Sequence, residues 1–98
     1  MAIKKQFLKS KPVCKVTFTV TAPEATNVSV VGDFNEWDIK AAPLTKLKNG
    51  TFKGTLDLKK DVSYEFRYVI DGVYVNDDEA DDYIWNAHAA DENGILDL

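Results

Sequence analysis

Apolar and polar side chains alternate with a period of two along much of this chain, and this alternation is the strongest constraint on its fold. From Cys14 to Thr21 every even position is apolar and every odd position is Lys or Thr. A similar pattern, with apolar residues or glycine at even positions, runs through 51–58 and 63–70. Such alternation places one face of a β-strand in a core and the other toward solvent. We therefore predict at least three half-buried strands.

Turn signals separate the alternating segments. Asn49-Gly50 and Asp71-Gly72 lie between apolar runs, and both dipeptides supply the positive φ angles of tight hairpins. No segment of helical length carries an apolar stripe with the helical period, so we expect little helix. The turns therefore predict two β-hairpins within an all-β chain.

We predict six to eight short strands, which in a chain of 98 residues are typical of an immunoglobulin-like antiparallel β-sandwich. The β-branched run at 28–31 and the apolar segment at 95–98 supply further strands. The length corresponds to one domain, which we assign to 1–98. We interpret 1–11 as a basic N-terminal extension of that domain. A domain of this size has little room for a deep catalytic cavity, so we expect a surface site.

Charge is distributed unevenly along the chain. The formal net charge is -4, residues 1–15 contain five lysines and no acid, and residues 77–98 contain eight acids and no base. Opposite charges at the two ends can attract each other within one fold or between the subunits of a homodimer. Arg67 is the only arginine, whereas nucleic-acid binding calls for a net basic, arginine-rich surface. We therefore expect no nucleic-acid partner.

The N-terminus has lysines but no apolar run of signal-peptide length, and no segment is long and apolar enough to span a membrane. Cys14 is the only cysteine and His88 the only histidine. These two residues make neither an intramolecular disulfide nor a Cys/His zinc site. We expect a cytoplasmic protein with no membrane contact, no metal and no cofactor.

The inventory of catalytic side chains is poor. A nucleophile would need His88 as its base, but His88 lies in a predicted loop, and Cys14 lies on an apolar strand face where thiols are usually unreactive. The acidic run 77–82 lacks an apolar pocket that would keep one carboxyl protonated for glycoside hydrolysis. Asp82 also stands where a calcium-binding EF-hand loop requires glycine. We interpret 77–82 as a solvated turn and predict no catalytic residue.

Polar and aromatic side chains suited to a neutral ligand remain. Trp37 follows a predicted strand and lies in a loop, Tyr74 follows the Asp71-Gly72 turn, and Arg67 lies on the outward face of the strand before that turn. Aromatic rings pack against the C–H faces of sugars, while guanidinium and amide groups bond their hydroxyls. These residues predict a polyhydroxyl ligand, but on composition alone we rank core packing slightly ahead of ligand binding for Trp37.

Several segments of the chain together resemble one family, and they are 30–38, 43–44, 49–52, 56–58, 64–72 and 76–77. They resemble the family 48 carbohydrate-binding module, which is the glycogen-binding domain of the AMP-activated protein kinase beta subunit and the early-set domain of isoamylases and branching enzymes. The resemblance covers about residues 12–98 and is greatest to the short, free-standing bacterial members. It implies an early-set immunoglobulin-like sandwich.

The resemblance also implies a function and a site. It implies a non-catalytic module for α-1,4-linked glucan, such as glycogen or a maltooligosaccharide. Trp37 matches the tryptophan that stacks on glucose, and Tyr74 stands where the family usually has a second tryptophan. Arg67 matches a basic residue and Asn93 an asparagine, both of which bond the sugar in the kinase subunit.

The chain departs from the family pattern near its last loop. The segment 83–91 carries an apparent extra residue, and Trp85 within it has no clear role in the family pattern. Trp85 could cover the core, contact sugar or lie in a subunit interface, in that order of preference. The alternative function is therefore an interaction or accessory module, which docks on a glucan-processing enzyme or self-associates without binding sugar.

Overall fold

Strands make up most of the structure, a computed structural model that describes residues 2–88 and 90–98. Within these ranges no helix is long and apolar enough to cross a lipid bilayer. The elements are β1 (Ala2–Phe7), β2 (Val13–Thr21), β3 (Val28–Gly32), a 3-10 helix (Asp33–Asn35), β4 (Thr45–Lys46), β5 (Thr51–Lys59), β6 (Ser63–Ile70), β7 (Val73–Val75), β8 (Asp82–Asn86) and β9 (Asp91–Asp97).

The strands form two antiparallel sheets that pack face to face. The first sheet has the order β1-β2-β5-β4, and the second has the order β3-β6-β9-β8, with β7 paired to β6. The two predicted hairpins are present as β4–β5 and β6–β7. The prediction of an all-β, immunoglobulin-like antiparallel sandwich is confirmed.

The alternating residues build the core between the sheets. On β2 the four even positions from Cys14 to Val20 are fully buried, and on β6 Phe66 and Tyr68 face them. The ring centroids of Phe18 and Phe66 lie 5.9 Å apart, and those of Phe18 and Tyr68 lie 6.2 Å apart with the rings nearly perpendicular. Rings at these distances attract each other in addition to the apolar area that they bury. This aromatic cluster therefore joins the two sheets.

The N-terminal segment belongs to the first sheet. We predicted 1–11 as an extension; Met1 lies outside the described residues, but Ala2–Phe7 pairs with β2 along its whole length. Charged edge strands are common because lysines discourage pairing with other chains. The Lys5 ammonium lies 2.5 Å from the Asp81 carboxylate, so the opposite charges of the two ends meet at least once within the fold.

The acidic run is only partly solvated. Asp78, Glu79, Asp81 and Asp82 are exposed, but Asp77 is fully buried, so our interpretation of 77–82 as a solvated turn is wrong at that residue. The Tyr68 hydroxyl donates to Asp77 Oδ2 at 2.6 Å, and the Glu79 amide donates to Oδ1 at 2.7 Å. The loop is thus anchored to the core by a buried carboxylate. Burial, and then this hydrogen bond, raise the pKa of Tyr68 above its ordinary value.

We predict that Tyr68→Phe lowers the free energy of unfolding by about 1–3 kcal/mol at pH 7, because it removes one donor from a buried carboxylate. Folding raises the pKa of Tyr68, so its contribution is fully present below the ordinary pKa of about 10 and is lost as the pH rises above it. The difference between wild type and variant should therefore shrink above about pH 10. Urea denaturation at several pH values measures both effects.

Tyr74→Phe is the matched control, because the Tyr74 side chain is largely exposed. At pH 7 it should change stability by less than about 0.5 kcal/mol. Equal stability of wild type and Tyr68→Phe at pH 7 would contradict the anchoring role of the buried hydrogen bond.

Candidate functional site

A cavity of about 440 Å³ lies on the outer face of the second sheet. All four side chains that the sequence predicted as a binding site line it. Asn86 and Asp91 complete its lining, and neither was among the predicted site residues. The six lining residues are Trp37, Arg67, Tyr74, Asn86, Asp91 and Asn93.

The segment Gly32–Trp37 shapes the loop that carries Trp37. Gly32 passes so close to β6 that a Cβ atom there would collide with the carbonyl oxygen of Glu65. The Asn35 side chain closes the turn, since Oδ1 accepts from the Gly32 amide at 3.0 Å and Nδ2 donates to the Val30 carbonyl at 3.1 Å. Glycine and asparagine are therefore required here by close approach and by local hydrogen bonding.

Trp37 is held in an uncommon backbone conformation. Glu36 and Trp37 have φ angles of 56° and 59°, in the left-handed region that residues other than glycine rarely occupy. The Trp37 amide donates to the Gly32 carbonyl at 3.0 Å. The indole Nε1 of Trp37 donates to Asp33 Oδ1 at 3.2 Å, and Asp33 Oδ2 accepts from the Glu65 amide at 3.0 Å. One carboxylate thus links the indole to the backbone of β6.

The two aromatic residues of the segment 32–37, Phe34 and Trp37, have different environments. Phe34 packs against the core, with its ring centroid 5.8 Å from that of Tyr64 and 6.4 Å from that of Phe18. Trp37 is half-buried, lies outside the core cluster of the described residues and lines the cavity. Phe34 therefore has the core-packing role that we considered for Trp37.

Arg67 lies at the base of the cavity, where only 5% of the residue is exposed. Its Nη2 lies 2.8 Å from Asp91 Oδ2, and its guanidinium carbon lies 5.7 Å from the centroid of the Tyr74 ring. The second distance is typical of a cation–π contact. Both contacts fix the orientation of the guanidinium, while its Nε is buried without a hydrogen bond from the described residues.

Asp91 balances the charge of Arg67. A hydrogen bond from the Glu92 backbone amide and the nearby Arg67 guanidinium lower the pKa of the Asp91 carboxyl. The carboxylate is therefore ionised at neutral pH, and the pair presents no net charge to the cavity. A neutral ligand suits this environment better than an ion does.

Asn93 contributes a buried amide, with only 2% of the residue exposed. Its Nδ2 donates to Glu65 Oε1 at 3.1 Å, whereas its Oδ1 has no donor among the described residues. Arg67 Nε and Asn93 Oδ1 thus have no partner among the described residues, and both atoms have almost no solvent-accessible surface. A hydroxyl group both donates and accepts, so a polyhydroxyl ligand suits a lining that includes a guanidinium and amide groups.

Trp85 does not belong to this cavity. Residue 84 is paired with Asn93 and residue 85 with Glu92, so the alternation of β8 places Trp85 on the face opposite Ile84. Trp85 is 64% exposed, which makes our first-ranked role for it, covering the core, wrong. The apparent extra residue lies in the region of the β8–β9 hairpin, and Asn93 still reaches the cavity.

One acidic cluster lies elsewhere in the fold. The carboxylates of Asp77, Asp78 and Glu79 have ligand atoms within 4.8 Å of one another. Both oxygens of Asp77 already accept hydrogen bonds from the protein. None of the three residues lines the cavity, so the cavity and the acidic cluster are separate features.

We predict that Asp33→Asn loosens Trp37. An amide keeps one acceptor oxygen, whereas the Trp37 indole and the Glu65 amide both require an acceptor, so one bond is lost at a cost of about 1–3 kcal/mol. In a Trp85→Phe background, where Trp37 is the only tryptophan, acrylamide should quench the fluorescence of the Asp33→Asn variant more strongly than that of its parent. Glu36→Gln, which changes a neighbouring side chain of the same loop, is the control. Acrylamide should quench its fluorescence to the same extent as that of its parent. Equal quenching of all three proteins would contradict the role of Asp33.

Comparison with known proteins finds one matching family and several similar branching enzymes. The family model for carbohydrate-binding module 48, the isoamylase N-terminal domain, matches residues 7–90. The chain is 48% identical over 46 residues to the 1,4-alpha-glucan branching enzyme GlgB of Ralstonia nicotianae, covering 47% of this chain and 6% of that enzyme. It is 37% identical over 57 residues to the GlgB of Photobacterium profundum, covering 57% and 8%.

A third relative aligns over a longer segment. The chain is 34% identical over 67 residues to the 1,4-alpha-glucan branching enzyme GlgB of Aquifex aeolicus, covering 67% of this chain and 11% of that enzyme. The chain therefore spans only a small part of the length of these curated relatives. The family match extends over most of the chain and agrees with the early-set sandwich. This chain belongs to the carbohydrate-binding module 48 family, the family of the isoamylase N-terminal domain.

Proposed function

We propose that this chain is a non-catalytic module that binds α-1,4-linked glucan, such as glycogen or a maltooligosaccharide. The observation that carries the proposal is the cavity itself, in which two aromatic rings and two buried polar side chains with unmade hydrogen bonds meet. Membership of a carbohydrate-binding family supports the ligand class. The relatives named for action on 1,4-alpha-glucan support the linkage.

Each side chain has a distinct role in this proposal. The rings of Trp37 and Tyr74 contact the apolar C–H faces of glucose units. The Arg67 guanidinium and the Asn93 amide bond hydroxyls of the sugar. Because Asp91 neutralises Arg67, no net charge has to be desolvated when a neutral sugar binds.

The affinity of such a site should be modest. Two aromatic rings and a few hydrogen bonds on an open surface correspond to a dissociation constant on the order of 0.01–1 mM, or about -4 to -7 kcal/mol. The contacts fixed before binding, Trp37 to Asp33 and Arg67 to Asp91, lower the entropic cost of ordering these side chains.

We predict that Trp37→Ala weakens maltoheptaose binding at least tenfold while the folded state persists, because Trp37 is half-buried outside the core. Isothermal titration calorimetry measures the affinity, and circular dichroism reports the fold. Trp85→Ala is the matched control and should bind like wild type, since Trp85 lies outside the cavity.

Cellohexaose, a β-1,4-linked glucan, tests the linkage and should bind more weakly than maltoheptaose. A Trp37→Ala protein that binds maltoheptaose like wild type would place the site elsewhere. Absence of maltoheptaose binding in the wild-type protein would contradict the proposed function.

A second candidate function is a protein-interaction or accessory module that docks on a glucan-processing enzyme or self-associates. The observation that favours it is the exposed aromatic surface of β8, where Tyr83 is 37% and Trp85 is 64% exposed. Exposed aromatic residues are enriched at protein interfaces. Side chains alternate between the two faces of β8, so Tyr83 and Trp85 lie on one face and Asn86 on the other. Because Asn86 lines the cavity, the aromatic surface and the cavity lie on opposite faces of β8. One chain can therefore carry both functions.

The self-associating form of this candidate predicts a concentration-dependent mass for the wild-type protein. Trp85→Ser should remove that dependence, because it deletes the most exposed large apolar side chain of the aromatic surface. Sedimentation velocity over a range of concentrations measures the effect, with Trp37→Ala as the control. A wild-type protein that stays monomeric at every concentration would contradict self-association.

A further inference from the structure

A second cavity, of about 570 Å³, opens on the second sheet beside the first. Its lining combines apolar residues with polar ones that can bond hydroxyl groups. The residues important here are Ser29, Ile39, Lys40, Pro43 and Val69. None of them lines the first cavity, so the two cavities are lined by different residues.

A row of paired residues connects the two cavities. Pro43 is bridged to Ser29, Ser29 is paired with Val69, and Val69 is paired with Tyr74. Residues directly opposite each other on neighbouring strands place their side chains on the same face of a sheet. Because neighbouring strands lie about 4.8 Å apart, the row from Pro43 to Tyr74 is about 14 Å long. Tyr74 belongs to the first cavity and its neighbour Val69 to the second, so the cavities adjoin.

One loop contributes residues to the lining of both cavities. Trp37 lines the first, and Ile39, Lys40 and Pro43 line the second. The loop is attached to β3 at its far end, where the Val30 amide donates to the carbonyl of residue 42 at 3.1 Å. The Lys40 amide also donates to Asp38 Oδ1 at 2.9 Å. Ile39 is thus presented on a tethered loop with 48% of its surface exposed.

We propose that the two cavities form one groove for a single glucan chain, in which the second cavity is an additional subsite for glucose units beyond those held by Trp37 and Tyr74. This proposal rests on the proposed function. Ile39 and Val69 supply apolar surface for the C–H faces of the sugar, and the Ser29 hydroxyl and the Lys40 ammonium bond its hydroxyls. Continuity with the first cavity identifies the occupant as the same glucan chain.

If the two cavities form one groove, short and long glucans should bind with different affinities. A short glucan occupies the Trp37 cavity and gains nothing from the second, whereas a longer one contacts both. Affinity should therefore increase with chain length, and residues of the second cavity should affect long glucans only.

The test compares maltotriose with maltoheptaose by isothermal titration calorimetry. Wild-type protein should bind maltoheptaose several-fold more tightly than maltotriose. Ile39→Ser should weaken maltoheptaose binding roughly three- to tenfold and leave maltotriose binding unchanged, because it removes apolar surface from the second cavity only. Unchanged maltotriose binding also shows that the neighbouring Trp37 is still in place.

Two controls accompany this variant. Ile39→Leu keeps an apolar side chain of the same size and should bind both sugars like wild type. Leu47→Ser removes another exposed apolar residue, one that lines neither cavity, and should change neither affinity.

The outcomes separate this proposal from the proposed function. If maltoheptaose binds in a Trp37-dependent way but Ile39→Ser affects both sugars equally or neither, the extended groove is wrong and the glucan site stands. If Ile39→Ser alters the mass measured by sedimentation instead, this face contacts a second copy and the groove is also wrong. If no α-glucan binds to the wild-type protein, the proposed function itself fails.

Discussion

The carboxylate of Asp33 is the interaction on which the arrangement of the cavity depends. One oxygen accepts from the Trp37 indole and the other from the backbone of β6. Without both contacts, the left-handed backbone at Glu36 and Trp37 would lose the support that offsets its conformational cost. Because β6 also carries Arg67, the same carboxylate sets the distance between the stacking ring and the polar base of the cavity.

The second constraint is the balance of charge at Arg67. A guanidinium that is 5% exposed must be paired, since an isolated buried charge is strongly unfavourable. Asp91 pairs with it from one side and the Tyr74 ring contacts it from another. The two contacts fix the guanidinium at the base of the cavity, and its pairing with Asp91 leaves no net charge there. These properties suit a sugar better than a phosphate or a peptide carboxylate.

Sequence reasoning identified the parts of the fold that have a strong periodic signal and missed those that depend on tertiary contacts. The alternation of β2, β5 and β6 predicted the sandwich, because the apolar face of each strand packs in the core. β1 and β8 lie at sheet edges, where charged or exposed residues mask the period. The burial of Asp77 was also missed, because its partner Tyr68 lies on a strand that precedes it in sequence. For the site, residue type and position already indicated Trp37, Arg67 and Tyr74, whereas Asn93 came from the family resemblance alone. The structure brings all four into one cavity. No local sequence pattern indicates that Asn86 and Asp91 belong to the site, since they reach the cavity only through the pairing of β8 with β9.

In the function that we propose, an α-glucan lies on Trp37 and bonds the polar side chains at the base of the cavity. Nuclear magnetic resonance of the ¹⁵N-labelled wild-type protein, titrated with maltoheptaose, tests this claim most directly, because indole, guanidinium Nε–H and asparagine amide signals are resolved individually. We expect saturable shifts of the Trp37 indole Nε1–H, the Arg67 Nε–H and the Asn93 side-chain amide, with the Trp85 indole unchanged. Shifts confined to Trp85 and its neighbours on β8, or no shifts at all, would contradict it.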